Sequence, residues 1–277
     1  MMDVPSVSSS GSPDVRSRFA RAAMLLKEDP GSPEAVSLLA ANAESGCTDS
    51  MVLLGTVYAG GSEAQRAESI RLFRSAAEAG DSSGMRNLAY CFAVGLNCEK
   101  DKAHAAALYE KAAEMGNPRA MCNIGVMYDY GNGVAEDPAK AFRWYLRSAE
   151  AGYPRGMTNL GEYYMRGRGT DKDLAEAERW FLRSGTPRAM CRLAEIYLDE
   201  KDDMEKGMEY LRKSASGGYS KALFRLGVLL EASDRAEAVR LYTEAARKSN
   251  KDAVARLESM GEPVPEPSMS KRRKKST

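Results

Sequence analysis

The chain has 277 residues, of which 43% are hydrophobic and 29% are charged, and its formal net charge is +1. Its length suffices for one or two domains with a substantial core. The single histidine excludes metal sites that need several imidazoles, and no run of about 18 apolar residues is present to span a membrane. Residues 1–14 lack an apolar segment, so we expect no signal peptide and reduced cysteines.

Glycines recur along the chain at intervals of 33 to 36 residues, at Gly46, Gly80, Gly116, Gly152, Gly185 and Gly218. Each interval begins with apolar residues at i, i+3 and i+7 and a small residue at i+4, as in Met121, Ile124, Tyr128 and Gly125. This spacing predicts an amphipathic helix, named helix A here, whose small residue lets another helix approach closely. A second helical pattern follows in each interval and predicts a partner, helix B.

Local signals at the ends of these helices agree with the periodicity. Proline follows Asn117 and Thr186 at the predicted start of helix A, and Asp137 precedes Pro138 at the start of one helix B. Proline suits the first position of a helix, and Asn, Thr and Asp suit the cap before it. The glycines after helix B suit a left-handed C-terminal cap.

The repeat NPRAMCNIGVMYDYGNGVAEDPAKAFRWYLRSAEAG, residues 117–152, resembles the Sel-one-like repeat, a longer-looped relative of the tetratricopeptide repeat. The next repeat, 153–185, resembles it equally. The resemblance implies an all-α fold, a right-handed α/α solenoid of about six Sel-one-like or tetratricopeptide-like helix pairs. It also implies a non-enzymatic scaffold or adaptor for partner proteins, since members of this family commonly assemble complexes or regulate enzymes.

The repeat pattern predicts three segments, with disordered tails at residues 1–13 and 262–277 and one solenoid at 14–261. The predicted repeats are 14–46, 47–80, 81–116, 117–152, 153–185, 186–218 and 219–249, with a capping helix at 250–261. Repeats 5 and 6 lack the Gly-x-Gly sequence between their helices, so we expect loops through residues 198–203 and 231–234 instead.

Few residues of the chain suggest catalysis or cofactor binding. The Gly-x-Gly sequences at 131–133 and 167–169 follow helices and recur at one place in the repeat, which favours turns over phosphate loops. The five cysteines form no C-x-x-C pair, and His104 has no recognisable nucleophile beside it. We therefore expect no enzyme activity, no metal site and no cofactor.

The face of helix A opposite the core is the predicted partner-binding surface. Measured from Met121 at 100° per residue, Arg119, Asn123 and Tyr130 lie about 160° to 200° away. The resemblance implies that helix A lines the concave wall of the solenoid. The predicted groove residues on this wall are Arg119, Asn123, Tyr130, Arg155, Asn159, Tyr163, Arg166, Arg188, Arg192, Lys221 and Arg225.

Arginines grip carboxylates with two hydrogen bonds, and asparagines bond to peptide backbone. The wall is thus suited to an acidic or C-terminal peptide segment. An alternative is that the asparagines are only a family signature, and that Glu162, Glu195 and Asp199 partly neutralise the arginines.

The cluster Lys271, Arg272, Arg273, Lys274 and Lys275 is the second basic feature. In a eukaryotic source it is typical of a nuclear import signal; other interpretations are a polyanion contact or a tail without a role. We expect a cytoplasmic protein, or a nuclear one if this signal acts. The alternative functions are a nucleic-acid-associated repeat protein, which we do not favour, and a regulatory subunit or an enzyme with an unrecognised site.

Overall fold

The computed structural model describes residues 12–267, and this part of the chain is built from consecutive α-helices. They are numbered α1 to α15 in chain order: Pro13–Glu28, Pro33–Glu44, Thr48–Tyr58, Glu63–Glu78, Ser82–Val94, Lys102–Glu114, Pro118–Tyr130, Pro138–Glu150, Pro154–Arg166, Leu174–Ser184, Pro187–Glu195, Met204–Ser216, Ser220–Leu230, Arg235–Arg247 and Lys251–Met260. Among these residues, no helix is long and apolar enough to cross a membrane.

The helices pack as consecutive pairs, with the odd-numbered helices as A and the even-numbered ones as B. They form two compact units. The first ends at Ala151 and holds the pairs from α1/α2 to α7/α8, whereas the second begins at Gly152 and holds α9 to α15. The prediction of an all-α fold built from repeated helix pairs is therefore confirmed.

The helix boundaries follow the signals in the sequence. The side chains of Asn117, Asp137 and Thr186 accept hydrogen bonds from backbone N–H groups three residues later, at 2.9 to 3.2 Å. Gly116 and Gly152, which follow helix B, have φ values of +90° and +84°. In this conformation only glycine is free of strain, so these positions end the helices where the repeat pattern predicts.

The small residue of helix A lies against an aromatic ring of helix B. A Cβ atom added at Gly125 would lie 2.7 Å from Cε1 of Tyr145, and one at Gly161 would lie 2.6 Å from Cε1 of Phe181. The same contact recurs in two other pairs, as Gly55 with Phe73 and Gly227 with Tyr242. Real Cβ atoms do not come this close, so the ring occupies the volume that any side chain on helix A would need.

The α11/α12 pair departs from this pattern in two ways. Leu211 takes the place of the ring and Ala194 takes the place of the glycine, and both lie in one buried core cluster. In addition, α11 continues into a π-helical turn at Ile196–Glu200, where we expected a loop from residue 198. The backbone N–H of Lys201 bonds to the carbonyl of Ile196, the i to i+5 bond that defines this turn.

We predict that Gly161→Ala destabilises the protein by up to about 2 kcal/mol. Overpacking against Phe181 costs ~1–3 kcal/mol, and the better helix propensity of alanine offsets about 1 kcal/mol of it. Urea denaturation followed by circular dichroism measures the change.

The matched control is Gly161→Ala combined with Phe181→Leu, which rebuilds the pair that the chain itself uses at Ala194 and Leu211. The double variant should lose less stability than the sum of the two single losses. Additive losses would show that the close contact between ring and backbone is not the constraint.

Candidate partner-binding faces of the A helices

In the first unit, two neighbouring A helices, α5 and α7, expose apolar and aromatic side chains on the side opposite the core. Tyr90 and Val94 are one helical turn apart on α5 and are 53% and 49% exposed, and Tyr130 at the end of α7 is 66% exposed. Tyr130 is one of the residues predicted from the sequence, whereas Tyr90 and Val94 are not. The signal was available, because Val94 lies 36 residues before Tyr130 and so takes the same place in its repeat.

Polar groups accompany these apolar side chains. Asn87 is 8% exposed, and its amide nitrogen has no hydrogen-bond partner in the described part of the chain. Asn123, at the equivalent place on α7, hydrogen-bonds to the hydroxyl of Tyr109; burial nevertheless raises the pKa of this phenol well above its usual range. Arg119 is half-buried. A buried donor without a partner is costly, and the nitrogen of Asn87 is closed to solvent, so this group lies beneath the surface rather than on it.

In the second unit, the A helices carry a row of alternating charges instead. Nε and Nη2 of Arg188 donate to the two carboxylate oxygens of Glu162, at 3.0 and 2.7 Å. Arg192 donates to the same Glu162 at 2.8 Å and to Glu195 at 2.7 Å. Arg225 continues the row and donates to Asp199 at 2.6 Å. We name these residues the ionic ladder: Arg188, Glu162, Arg192, Glu195, Arg225 and Asp199.

The interior of the ladder is withdrawn from water. The side chains of Glu162, Arg192 and Glu195 are 11%, 17% and 18% exposed, whereas Asp199 at one end is 55% exposed. Burial opposes ionisation of Glu162, but the charges of Arg188 and Arg192 outweigh it and hold the pKa of this carboxyl below its ordinary value. Burial likewise opposes the charge on Arg192, yet its hydrogen bonds to Glu195 and Glu162 raise its pKa. Glu162 and Arg192 are therefore both charged at neutral pH.

The predicted groove residues of the second unit thus fall into three groups. Arg188, Arg192 and Arg225 belong to the ladder, where three arginines face three carboxylates. Asn159 and Tyr163 are buried, at 7% and 5% exposure, and do not stand on an open wall. The remaining predicted groove residues of this unit are exposed and lie outside the ladder: Arg155, Arg166 and Lys221.

His104 and the five cysteines were the other side chains considered for catalysis or metal binding, and their surroundings are as follows. His104 is exposed and its ring packs edge-on against Phe92, with 4.6 Å between the centroids. All five cysteines are free thiols, and burial raises the pKa of Cys91 and of Cys191 to about 11, which suppresses the reactive thiolate. Within residues 12–267, no group of three or more His, Cys, Asp or Glu is arranged to hold a metal ion. The basic cluster 271–275 lies outside the described residues.

We predict that Glu162→Gln lowers the free energy of unfolding at pH 7 by about 2–4 kcal/mol. The substitution leaves Arg192 buried beside a neutral amide, and breaking a buried ion pair costs ~3–5 kcal/mol, less here because Arg188 is partly exposed. The folded-state pKa of Glu162 is below the ordinary 4.5. Its contribution is therefore complete above about pH 4.5 and is lost as the pH falls through the folded-state pKa.

Urea titrations of both proteins at neutral and acidic pH test this prediction, and the stability difference should shrink in acid. Glu209→Gln is the control, because Glu209 forms an exposed pair with Lys213. A difference that stays constant as the pH falls, or an equal loss in the control, would contradict the role given to the ladder.

Comparison with known proteins agrees with the helix pairs described above. The family model for the Sel1 repeat matches six times, at residues 48–81, 82–117, 118–153, 154–185, 187–219 and 220–250. These matches coincide with the pairs from α3/α4 to α13/α14. No curated protein is similar enough to this chain to count as a match.

Two solved structures are similar to the chain over most of its length. The first is c5321, a protective antigen of uropathogenic Escherichia coli with this repeat fold, at 28% identity and a TM-score of 0.66. The alignment covers 89% of this chain but 56% of c5321, so the chain spans little more than half of that protein. The second is a Sel1 repeat protein from Oxalobacter formigenes, at 24% identity and a TM-score of 0.73, covering 83% of this chain and 99% of that one. The six family matches, each on one helix pair, show that this chain belongs to the Sel1 repeat family.

Proposed function

We propose that this protein is a non-enzymatic scaffold. It binds a partner protein on the side of its A helices that faces away from the core, in the first unit. Sel1 repeat proteins are generally scaffolds for protein interactions. The observation that carries the proposal is the exposure of Tyr90, Val94 and Tyr130. Exposed aromatic side chains are typical of interface anchors.

The preference for an acidic or C-terminal peptide belongs to the second unit and rests on fewer residues than the sequence indicates. Arg188, Arg192 and Arg225 already bond to carboxylates of the ladder, so an acidic ligand has to compete with Glu162, Glu195 and Asp199. Arg155 and Lys221 are exposed outside the ladder and are the cations that we propose for an acidic segment. The nucleic-acid alternative draws on the same cations and is weakened by the same pairing.

The remaining hypotheses from the sequence are still proposals. Absence of enzyme activity is one of them, and a cytoplasmic location, or a nuclear one through residues 271–275, is another. Binding on the A helices is the hypothesis that the described residues support most directly.

We predict that Tyr90→Glu combined with Tyr130→Glu abolishes binding of the partner protein. The carboxylates charge an apolar face without touching the core, because both side chains are more than half exposed. Affinity capture of the wild-type and variant proteins, compared by mass spectrometry, measures the loss, and circular dichroism checks that the helices persist.

The matched control is Met115→Glu, because Met115 is an equally apolar residue, 49% exposed, at the end of α6 and outside the A helices. Partners that the double variant still captures at wild-type levels, or that the control also loses, would argue against this face.

For the acidic segment, we predict that Arg155→Glu combined with Lys221→Glu weakens capture of acidic partners and leaves stability unchanged. Charge reversal of the ladder arginines would be a poorer test, because it would also remove the ion-pair partners of Glu162 and so affect stability as well as binding. The control reverses two exposed cations on B helices, Arg143 on α8 and Arg212 on α12. Equal effects of the two variants on capture, at several salt concentrations, would show a non-specific charge effect.

A further inference from the structure

The B helices carry a repeated contact between an aromatic side chain and a cation three residues later. The guanidinium of Arg147 lies 4.4 Å from the ring centroid of Trp144 on α8, and that of Arg183 lies 5.3 Å from Trp180 on α10. Lys213 takes the same place over Tyr210 on α12, at 5.1 Å. Each repeat of this kind thus places a cation over the face of a ring on its B helix.

The α5/α6 pair keeps the cation but lacks the ring. Leu108 and Lys111 lie 36 residues before Trp144 and Arg147. The smaller leucine leaves an open groove of about 410 Å³ between α4 and α6, above α5, and we name it the Leu108 groove. This volume lies within the usual range for ligand sites, ~300–1,000 Å³.

The floor of the Leu108 groove is apolar. Met85 and Leu88 are buried beneath it, and Phe92 and Leu108 are partly exposed along it. At the equivalent place in the next pair, Trp144 is 9% exposed, so an indole in these surroundings is removed from water almost completely. The groove therefore has the apolar walls that an aromatic ring requires.

The rim of the groove is more basic than its counterpart in the next pair. Arg74 takes the place that Glu110 has there, and Phe92 takes the place of Tyr128, whose hydroxyl donates to Glu110 at 3.0 Å. The α5/α6 pair therefore lacks the tyrosine hydroxyl and carries the Arg74 cation where the next pair has the glutamate that this hydroxyl bonds to. The polar residues that line the groove are Arg74 and Glu78 on α4 and His104 and Lys111 on α6.

We propose that the Leu108 groove binds a peptide that presents a tryptophan beside an acidic residue. The indole takes the place that Trp144 and Trp180 fill in the following repeats, and Lys111 covers its face as Arg147 and Arg183 do there. The neighbouring carboxylate pairs with Arg74. This site lies on the B helices, apart from the proposed partner face with Tyr90 and Tyr130.

The first test fills the groove from within by Leu108→Trp in the full chain. Because the following repeats carry tryptophan at this place, we expect this variant to fold and to raise the unfolding midpoint. A lowered midpoint would overturn the proposal, since it would show that the groove does not accept an indole.

The second test measures binding of labelled acetyl-Asp-Trp-Asp-amide by fluorescence anisotropy, up to low-millimolar protein. We expect the wild-type chain to bind this probe and the matched Asp-Ala-Asp and Lys-Trp-Lys probes to bind at least about tenfold more weakly. Leu108→Trp should abolish binding, and Arg74→Glu with Lys111→Glu should reduce it about tenfold. The charge control is Arg143→Glu on α8, which should bind as the wild type does.

Three results would overturn the proposal: no binding of the Asp-Trp-Asp probe, unchanged binding by Leu108→Trp, or equal binding of the acidic and basic tryptophan probes. Tyr90→Glu with Tyr130→Glu should leave binding of the probe intact. This variant separates the groove from the proposed partner face, because either site can fail while the other persists.

Discussion

The contact between the glycine of helix A and the ring of helix B sets the geometry on which the other features depend. At Gly125 and Gly161 the ring of the partner helix lies where a Cβ atom would be, so the two backbones approach more closely than side chains on both helices would allow. Burying a flat ring against bare backbone removes apolar area from water without leaving a void. This contact fixes the rotation of each helix about its own axis. The rotation in turn determines which side chains pack against the neighbouring repeat and which face solvent.

The A helices have equivalent outward positions from pair to pair, including α11/α12, where Ala194 and Leu211 replace the glycine and the ring. The two units use those positions differently. In the first unit the outward positions hold Tyr90, Val94 and Tyr130, and in the second they hold the ionic ladder. The aromatic positions offer area that a partner can bury. The ladder offers little net charge, because its arginines and carboxylates are matched, and its interior is already dry. The backbone arrangement is thus shared, whereas the chemistry of the face changes along the chain.

The repeat architecture was predictable from the sequence because it depends on residues that act locally. Proline and its cap, the glycine after helix B and the 3.6-residue periodicity each report on a few neighbouring positions, and they agree with one another. The π-helical turn at 196–200 was not predictable, because it replaces a loop whose only signal was a missing glycine. The face of the A helices was predictable, and so was the alternative that its carboxylates partly neutralise the arginines, but the bonding pattern was not. The sequence places Glu162 near Arg188 and Arg192, yet only the side-chain geometry shows that one carboxylate bonds to both.

The ionic ladder has a consequence for how the second unit comes apart. In a linear array of repeats, cooperativity depends on the strength of each interface relative to the intrinsic stability of each repeat. The ladder connects α9, α11 and α13 through shared groups, since Glu162 of α9 bonds to two arginines of α11. Glu195 of α11 then pairs both with Arg192 and with Arg225 of α13, the latter at 3.6 Å. Fraying of one pair therefore exposes a buried charge on the next. The ladder couples the helix pairs α9/α10, α11/α12 and α13/α14, so that they unfold together rather than one at a time.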